Sequence, residues 1–449
     1  MRRWIVLTLF GCTLLGLNLV GRHLQREDGI TSPQWLQQLP WFVAIALAQG
    51  AVYLIAVWLV LRDGPAPRSL GVILVFAVLL RLTILFAPPY LSDDIYRYVW
   101  DGRVQAAGVN PYRFVPADPA LQGLRDGAVY QHINRRDYAH TIYPPLAQSI
   151  FLGITRVSES VTWMKTCMVG FEVVAIWLLL RLLVLLGLPA QRVLIYAWHP
   201  LAVWEFAGSG HVDAAAIALL AVALWARQRK FPALTGIALA GATLVKLFPA
   251  LLFPALYRRW DWKMPLAFLV TLAAGYVPYA SLGTSVLGFL PGYLQEEGLK
   301  TGWSIYLLNV IQHVVGENKV SSTAYLATAA LVILGLAVWL VFRQGAEHGW
   351  LQGATILAAA FYVLLSPHYP WYFAWSLLLL AVVPYVPMLY LTIASFILYE
   401  ALLFENAAVL FRLNTLLYAA FGLLVLVLPL VRIRAQERCL SGAEVNVGR

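Results

Sequence analysis

Runs of about 20 apolar residues recur along most of the chain, and they limit its possible folds more than any other feature. A helix of that length crosses about 30 Å of hydrocarbon, where only helices and closed barrels can satisfy their backbone hydrogen bonds. The sequence is 61% hydrophobic and only 12% charged, which excludes an ordinary water-soluble domain. The pattern therefore predicts an all-α, polytopic membrane bundle that forms one domain over residues 1–449.

The apolar runs predict about 12 spans and one V-shaped pair of short helices. The V lies between Phe231 and Tyr257, in a segment with basic residues at both ends. A single crossing cannot return to the same side of the membrane, and the segment is too short for two crossings. Pro249 and Pro254 interrupt helical hydrogen bonding, so we expect the turn near Lys246. The spans are expected near residues 4–21, 41–61, 69–89, 160–187, 192–206, 211–227, 263–283, 322–343, 350–367, 369–384, 386–403 and 414–431.

The net charge of +10 indicates membrane topology, because the basic clusters lie in short connections between apolar runs. No stretch interleaves aromatic and basic residues in the manner of a nucleic-acid site, so we expect no nucleic-acid partner. The positive-inside pattern predicts an inner (plasma) membrane protein with both termini cytoplasmic and with residues 22–40, 90–159 and 284–321 outside. The basic residues that flank the apolar runs are Arg2, Arg3, Arg62, Arg68, Arg192, Arg227, Arg229, Lys230, Arg258, Arg259, Lys263, Arg343, Arg432, Arg434 and Arg438.

Two adjacent carboxylates, Asp93 and Asp94, follow the apolar segment Leu70–Tyr90. A charge at a bilayer boundary is costly unless it faces water or a partner, so the pair suggests a site. Neighbouring carboxylates also raise each other's pKa, which prepares a general base. The alternative is that both residues only cap the next helix and pair with Arg97.

The segment after the acidic pair is predicted to form a short amphipathic helix on the outer membrane surface. Ser92 can cap its start, and Gly108 can end it. With about 100° of rotation per residue, its acidic face is expected to point to a cleft, while Asp93 points elsewhere. The polar face comprises Asp94, Arg97, Tyr98, Asp101 and Gln105.

Two aromatic motifs flank the membrane on the predicted outer side. Tyr143 opens a Tyr-Pro-Pro turn that returns the loop to the membrane, and a second interfacial helix is expected to follow. The turn Ser366–Tyr372 contains His368 and three aromatic residues, Tyr369, Trp371 and Tyr372. Its rings, including Tyr372, either stack on a sugar or belong to an interfacial aromatic belt.

Three polar residues within apolar segments are further candidates. His211 and Asp213 are two positions apart, so they can converge only if His211 precedes the first turn of the sixth span. Helix capping is the alternative role for this motif. Lys246 either binds the phosphate of a membrane lipid or extends its amine to the interface.

The order of these motifs resembles a known family. Along the chain they are the Asp-Asp pair, WDGRVQAAGVNPY, YPPLAQ, SGHVD and an isolated Lys followed by Pro. This order resembles the GT-C superfamily of integral-membrane glycosyltransferases, most closely glycosyltransferase family 87 and related polyprenol-phosphate-mannose-dependent mannosyltransferases. The resemblance runs from about Leu91 to Pro254, and the chain departs from it by two extra spans before the acidic loop.

The resemblance implies an inverting hexosyltransferase that moves a hexose, with mannose as the first choice, from a polyprenyl-phosphate donor. The acceptor would be a lipid or glycan on the extracytoplasmic face. Asp94 would be the general base, with Asp93 the less favoured candidate. Lys246, with Arg97 or Arg103, would bind the donor phosphate. The substrate-binding residues would be Asp101, Tyr143, His211, Asp213, His368 and Tyr372.

Two other functional classes stay open on the sequence. In a transporter or flippase, Asp93, Asp94 and Lys246 would form a coupling relay, whereas a polymerase or ligase of lipid-linked glycans would differ mainly in its acceptor. The outer loop 90–159, which is the catalytic loop of the transferase hypothesis, argues against a transporter. The sequence contains no GxGxxG or Walker pattern, and no cofactor is required. A divalent ion held by the acidic pair and His211 is possible chemistry for these residue types.

Overall fold

The chain folds as an all-helical bundle. A computed structural model describes residues 3–24, 33–62, 67–316, 319–343, 349–403 and 406–445, with side chains up to residue 429. Within these ranges every regular element is a helix and no strand occurs, which confirms the predicted fold class. The α-helices are α1 (Arg3–His23), α2 (Pro33–Arg62), α3 (Pro67–Leu85), α4 (Asp94–Ala106), α5 (Pro145–Thr155), α6 (Val161–Leu185), α7 (Leu194–Ala197), α8 (Pro200–Ala202), α9 (Asp213–Gln228), α10 (Pro232–Thr243), α11 (Phe253–Leu256), α12 (Lys263–Tyr276), α13 (Leu290–Glu296), α14 (Tyr306–Val315), α15 (Ser322–Phe342), α16 (Gly349–Leu365), α17 (Leu377–Val382), α18 (Val386–Ala394) and α19 (Ala407–Val445).

Seven helical stretches of the described chain are long and apolar enough to cross a membrane. Each coincides with one of the predicted spans, so the polytopic character of the bundle is confirmed. The other five predicted spans contain shorter or interrupted helices. Arg2 and the side chains of Arg432, Arg434 and Arg438, which were used to orient the termini, lie outside the described residues. The seven long stretches are Arg3–His23, Gln34–Arg62, Arg68–Leu85, Val161–Leu185, Lys263–Glu296, Ser322–Phe342 and Ala407–Pro429.

The predicted span at 192–206 is broken into short pieces. Pro200 starts α8, and the ring of His199 caps it by accepting a hydrogen bond from the Leu201 amide at 3.1 Å. A π-helical turn, Val203–Gly208, follows directly and carries the fully buried Glu205. Such turns insert an extra residue into the helical ladder and redirect the side chains that follow. The result is a change of direction just before the Ser209–Asp213 motif.

The V-shaped helix pair has its break at Lys246. Helix α10 ends at Thr243, and the next helical turn, Phe248–Leu252, is a 3-10 segment that leads into α11. The carbonyl of Leu244 in the break accepts hydrogen bonds from the Leu146 and Ala147 amides, at 3.0 and 3.2 Å. These amides belong to the first turn of α5, where amides have no partner within the helix. The break is therefore joined by its main chain to the start of α5.

Helix α4 begins at Asp94, the second residue of the acidic pair, and Gly108 follows its end with a positive φ of 78°. Arg97, Tyr98 and Asp101 on the polar side are buried, and so are the apolar residues on the opposite side, Val99, Trp100 and Val104. Trp100 lies beneath the ring of Tyr130, with 5.5 Å between the ring centroids. Helix α4 is thus enclosed by the rest of loop 90–159 and by α5, and it does not lie open along one side as a surface helix would.

Buried charges fix the base of this loop to the bundle. Arg81 of α3 and Glu172 of α6 form a bidentate ion pair, with nitrogen–oxygen distances of 2.6 and 3.0 Å. The ammonium group of Lys165 in α6 donates to the carbonyl of Ala87 at 2.6 Å, just beyond the end of α3. Buried charges are tolerated when they are paired and hydrogen-bonded in this way. The two contacts hold α3 and α6 together immediately before the acidic pair.

Candidate active site

One cavity of about 740 Å³ collects most of the predicted site residues. We call it the main cavity. Its walls come from loop 90–159, from the break at Lys246, from the segment after α12 and from the turn before α17. Asp93, Asp94, Arg97, Tyr143, Lys246, His368 and Tyr372 all line it. Segments that are far apart in sequence therefore meet around one space.

The acidic pair shares one hydrogen-bond donor. The amide nitrogen of Asn134 lies 2.5 Å from Asp93 Oδ1 and 3.2 Å from Asp94 Oδ1. The Ser92 hydroxyl accepts from the Asp94 amide at 3.2 Å, whereas the side chain of Asp93 caps nothing. The pair thus does more than cap α4, because both carboxylates face the cavity and Asn134.

The two carboxylates differ in their electrostatic surroundings. Burial and the adjacent Asp94 charge raise the pKa of Asp93 to about 6, while the Asn134 hydrogen bond and the Arg135 charge oppose the rise. The Asp94 charge acts on Asp93 and also on Tyr143 and His211. Both carboxylates line the main cavity, and Asp93 is the one whose pKa is raised.

Arg97 lines the main cavity and is held from behind by Asp101. Its Nε donates to Asp101 Oδ1 at 2.7 Å, and its Nη1 donates to the carbonyl of Ala139 at 3.1 Å. Asp101 is almost fully buried and also accepts a hydrogen bond from Gln148 at 2.9 Å. Asp101 is not among the residues that line the cavity, so its direct contact is with Arg97.

Lys246 extends into the main cavity between two aromatic rings. Its ammonium nitrogen lies 5.8 Å from the ring centre of Tyr143 and 5.5 Å from that of Tyr372, within the range of cation–π attraction. Asp213 Oδ2 lies 3.3 Å from the same nitrogen. The cation is thus positioned at the cavity by the break in the V, with a carboxylate behind it.

His211 and Asp213 form the buried floor behind Lys246. Helix α9 begins at Asp213, so His211 precedes its first turn, and the His211 ring stacks on Trp371 with centroids 4.5 Å apart. The closest charged neighbours of these side chains are within the protein, because His211 Nε2 lies 3.4 Å from Glu205 Oε2 and Asp213 Oδ2 faces Lys246. Both residues are almost fully buried, and neither lines the main cavity. They therefore reach the cavity only through Lys246 and Trp371.

An aromatic wall closes the main cavity on the side of the Ser366–Tyr372 turn. Tyr369 stacks on Trp371 with centroids 4.5 Å apart, and the hydroxyls of Tyr372 and Tyr293 are 2.7 Å apart. His368 Nε2 lies 2.9 Å from Glu297 Oε2, which ties this turn to the segment after α13. Flat aromatic faces beside polar groups suit a sugar ring, although a membrane-interface role uses the same residue types.

Arg103 does not join these residues. Its guanidinium forms ion pairs with Asp126 at 2.7 Å and with Glu159 at 2.8 Å, and its Nη1 donates to the Leu124 carbonyl at 3.0 Å. These partners lie within loop 90–159, and Arg103 does not line the main cavity. The contacts favour a structural role for Arg103, in which it holds together the far side of the loop.

Several cavity residues have no counterpart among the sequence-based candidates. Asn134 and Arg135 lie in an irregular stretch with no helical pattern, so no sequence signal marks them. Glu296 and Glu297 are different, because they form a second pair of adjacent carboxylates. Adjacent carboxylates close to an apolar segment are a signal that is visible in the sequence at this position too. Glu296 Oε2 accepts from Arg135 Nε at 2.7 Å, which joins two walls of the cavity.

The described part of the chain brings no three His, Cys, Asp or Glu side chains together as metal ligands. The ligand set considered from the sequence, with the acidic pair and His211, is therefore not assembled there. What the main cavity does combine is a carboxylate pair, a cation and aromatic rings. These groups can accept a proton, stabilise a departing anion and bind a sugar.

Comparison with known proteins identifies one related family. Residues 5–261, more than half of the chain, match the model of the MptA_B family, described as alpha-(1->6)-mannopyranosyltransferase, N-terminal domain. The match includes loop 90–159, the Ser209–Asp213 motif and the break at Lys246. No curated protein and no solved structure matches the chain.

Proposed function

The chain belongs to the MptA_B family of alpha-(1->6)-mannopyranosyltransferases and is a membrane mannosyltransferase, and we propose that it takes its mannose from polyprenyl phosphate. The acceptor would be a lipid or glycan on the extracytoplasmic face. The observation that carries this proposal is that the acidic pair and Lys246 line the same cavity. The absence of a GxGxxG or Walker pattern from the sequence is consistent with a donor other than a nucleotide sugar.

The proposed base is Asp94. It would take the proton from an acceptor hydroxyl while that oxygen forms a bond to the anomeric carbon of the donor. The bond from the anomeric carbon to the phosphate oxygen breaks on the opposite face, and both its electrons leave with the polyprenyl phosphate. One such displacement inverts the configuration and would turn a β-linked donor into an α-linkage. Asp94 is preferred to Asp93 because it lies in the first turn of α4, on the helical face that also carries Arg97.

Lys246 would stabilise the negative charge that develops on the leaving phosphate. A preorganised cation is effective in this role because it needs no reorganisation during the reaction. Arg97 would support it from the other wall, since Asp101 and the Ala139 carbonyl fix its guanidinium. Asp213 would orient the Lys246 cation from behind, since Asp213 Oδ2 lies 3.3 Å from the Lys246 nitrogen, and the His211 ring would support the Trp371 face on which it stacks.

The test uses membranes that contain the full chain and labelled polyprenyl-phosphate mannose. Asp94→Asn should lower transfer by about 10²–10⁴-fold, the usual contribution of a general base. Lys246→Ala should raise the KM for the donor and also lower kcat. Asp137→Asn is the matched control, because Asp137 belongs to the same loop but is 76% exposed and does not line the cavity.

Two results would reject the proposal. If Asp94→Asn and Asp93→Asn each leave transfer intact, neither residue is the base. If a nucleotide-linked mannose supports transfer while the polyprenyl-linked sugar does not, the donor assignment fails. Uptake or flipping of a labelled sugar lipid without any transfer would favour the alternative of a transporter, which the family match does not support.

A further inference from the structure

A second cavity, of about 380 Å³, lies at the opposite ends of the helices that reach the main cavity. We call it the basic cavity. Helix α9 begins at Asp213, beside Lys246, and its last turn lies at the basic cavity. Its length corresponds to a rise of about 24 Å along the helix axis. Helix α10 and helix α12 both begin at the same cavity. The two cavities are thus separated by roughly the thickness of a bilayer core.

The basic cavity concentrates positive charge. Arg227, Lys230, Arg258 and Lys263 line it, and Asp261 is the single carboxylate among the described residues of its wall. The Asp261 side chain accepts a hydrogen bond from the Lys263 amide at 3.0 Å, so one of its carboxylate oxygens is already hydrogen-bonded to the backbone. In the described ranges of the chain, no ion pair neutralises Lys230, Arg258 or Lys263. The wall therefore carries an excess of cationic donors without anionic partners.

The backbone around the basic cavity is unusually constrained. Lys230 and Trp260 both have positive φ angles, 62° and 69°, which bulky side chains seldom adopt. The Trp260 amide donates to the hydroxyl of Tyr257 at 3.1 Å, and the Asp261 amide donates to the Arg258 carbonyl at 2.9 Å. Unfavourable backbone angles persist where surrounding contacts impose them, and they concentrate at functional sites. The concave shape is therefore built into the fold.

The rim of the basic cavity has the composition of a membrane interface. Trp260 is 82% exposed and Trp262 is 66% exposed, although both are large and apolar. Exposed Trp at the end of a membrane bundle lies at the level of lipid headgroups. Basic pockets between helices on the cytoplasmic side bind anionic lipid headgroups. The exposed tryptophans therefore favour a membrane lipid over a soluble anion as the molecule that supplies the negative charge.

We propose that the basic cavity binds the phosphate of an anionic membrane phospholipid. Lys230, Arg258 and Lys263 donate to the phosphate oxygens, and Trp260 and Trp262 contact the glycerol and upper acyl chains. The positive-inside pattern alone accounts for basic residues on this face but requires no cavity. Arg62 and Arg343 illustrate that simpler case, because each lies over a tryptophan of its own helix, at 5.0 and 5.1 Å, and neither lines the basic cavity.

The test is native mass spectrometry of the full-length protein in detergent, with equal amounts of short-chain phosphatidylglycerol and phosphatidylcholine. The wild-type chain should retain phosphatidylglycerol in preference to phosphatidylcholine. Lys230→Gln with Arg258→Gln should weaken that retention by about fivefold for each charge removed. The matched control, Arg62→Gln with Arg343→Gln, removes equal charge from the same face and should retain the lipid as the wild type does.

Three outcomes would overturn the proposal. The first is that the wild type retains both lipids equally, and the second is that the control variant loses as much lipid as the Lys230→Gln, Arg258→Gln variant does. The third is that millimolar inorganic phosphate saturates the cavity and the protein shows no lipid preference, which would indicate a soluble anion. If the double variant does not fold, Lys263→Gln replaces it, because this side chain is exposed and its loss leaves the backbone contacts intact. Unchanged retention in the Lys263→Gln variant would then also contradict the proposal.

Discussion

At the scale of single residues, the acidic pair shows how adjacent carboxylates acquire different environments. They share Asn134, yet Asp93 is next to Arg135 and the loop, while Asp94 acts on Tyr143 and His211. The helical geometry of the sequence assigns Asp94 to one face of α4 but cannot reveal Asn134, which lies about 40 positions away in an irregular stretch. The carboxylates could therefore be predicted, and their common donor could not.

The raised pKa of Asp93 predicts an acidic limb in the rate of transfer. Below pH 6, Asp93 becomes protonated, and the negative charge beside the proposed base is lost. We expect kcat/KM to fall as the pH drops through about 6 and to level off above it. Initial rates between about pH 5 and 8 measure this. In the Asp93→Asn variant, the fall in kcat/KM should occur at a lower pH. If kcat/KM still falls near pH 6, a group other than Asp93 is responsible.

Asn134→Ala is expected to move the same limb in the opposite direction. The hydrogen bond from Asn134 favours the charged form of Asp93, so its removal should raise the pKa further. A hydrogen bond to a charged group is worth about 1.5–3 kcal/mol, so the limb should rise by at least about 1 pH unit. Rates measured over the same pH range check the result. An unchanged profile would mean that Asn134 does not govern the pair.

At the scale of elements, the sequence predicts a helix best where the residues at its ends favour the start or the end of a helix. Helix α4 follows Ser92 and precedes Gly108, and the V breaks at Lys246, shortly before Pro249 and Pro254. Residues 192–206 contain no comparable sequence signal for the π-helical turn. This turn depends on the packing of Glu205 against Tyr399, which is far away in the sequence. Local pattern determines helix ends, whereas tertiary contacts determine irregularities within helices.

Gly102 is expected to be essential for the crossing of α4 and α5. A Cβ atom at this position would lie 2.4 Å from Thr155 Oγ1 and 2.6 Å from the Phe151 carbonyl oxygen. Since a backbone carbonyl cannot move aside freely, Gly102→Ala should destabilise the protein by about 1–3 kcal/mol. A lower melting temperature in detergent would show it. Gly153→Ala on α5 meets no atom within 4 Å and should leave the melting temperature unchanged or higher.

At the scale of the whole molecule, the main cavity is divided between the matched and unmatched parts of the chain. Residues 5–261 contribute the acidic pair, Arg97 and Lys246. The aromatic wall and the Glu296-Glu297 pair follow in sequence. The order of the motifs in the sequence indicates the acidic pair, Arg97 and Lys246. It cannot reveal the Glu296-Glu297 pair, because the contact of Glu297 with His368 links segments about 70 positions apart.

Glu297→Gln tests whether this second wall contributes to binding. The substitution removes the charge partner of His368 and should loosen the turn that carries the aromatic wall. We expect a several-fold higher KM for the acceptor, with the acidic limb near pH 6 unchanged. Steady-state kinetics with varied acceptor measure both quantities. A fall in kcat with the KM unchanged would instead indicate a role in the chemical step.

The hydrogen bonds that the Leu244 carbonyl accepts from the start of α5 have a consequence for how such an enzyme can diversify. Helix α5 is packed against α4 at Gly102, and α4 begins at Asp94. The spacing between Asp94, the proposed proton acceptor, and the Lys246 cation therefore depends on main-chain contacts more than on the side chains that surround the cavity. Changes in the wall formed after residue 261 can then select a different acceptor while the reacting groups keep their separation.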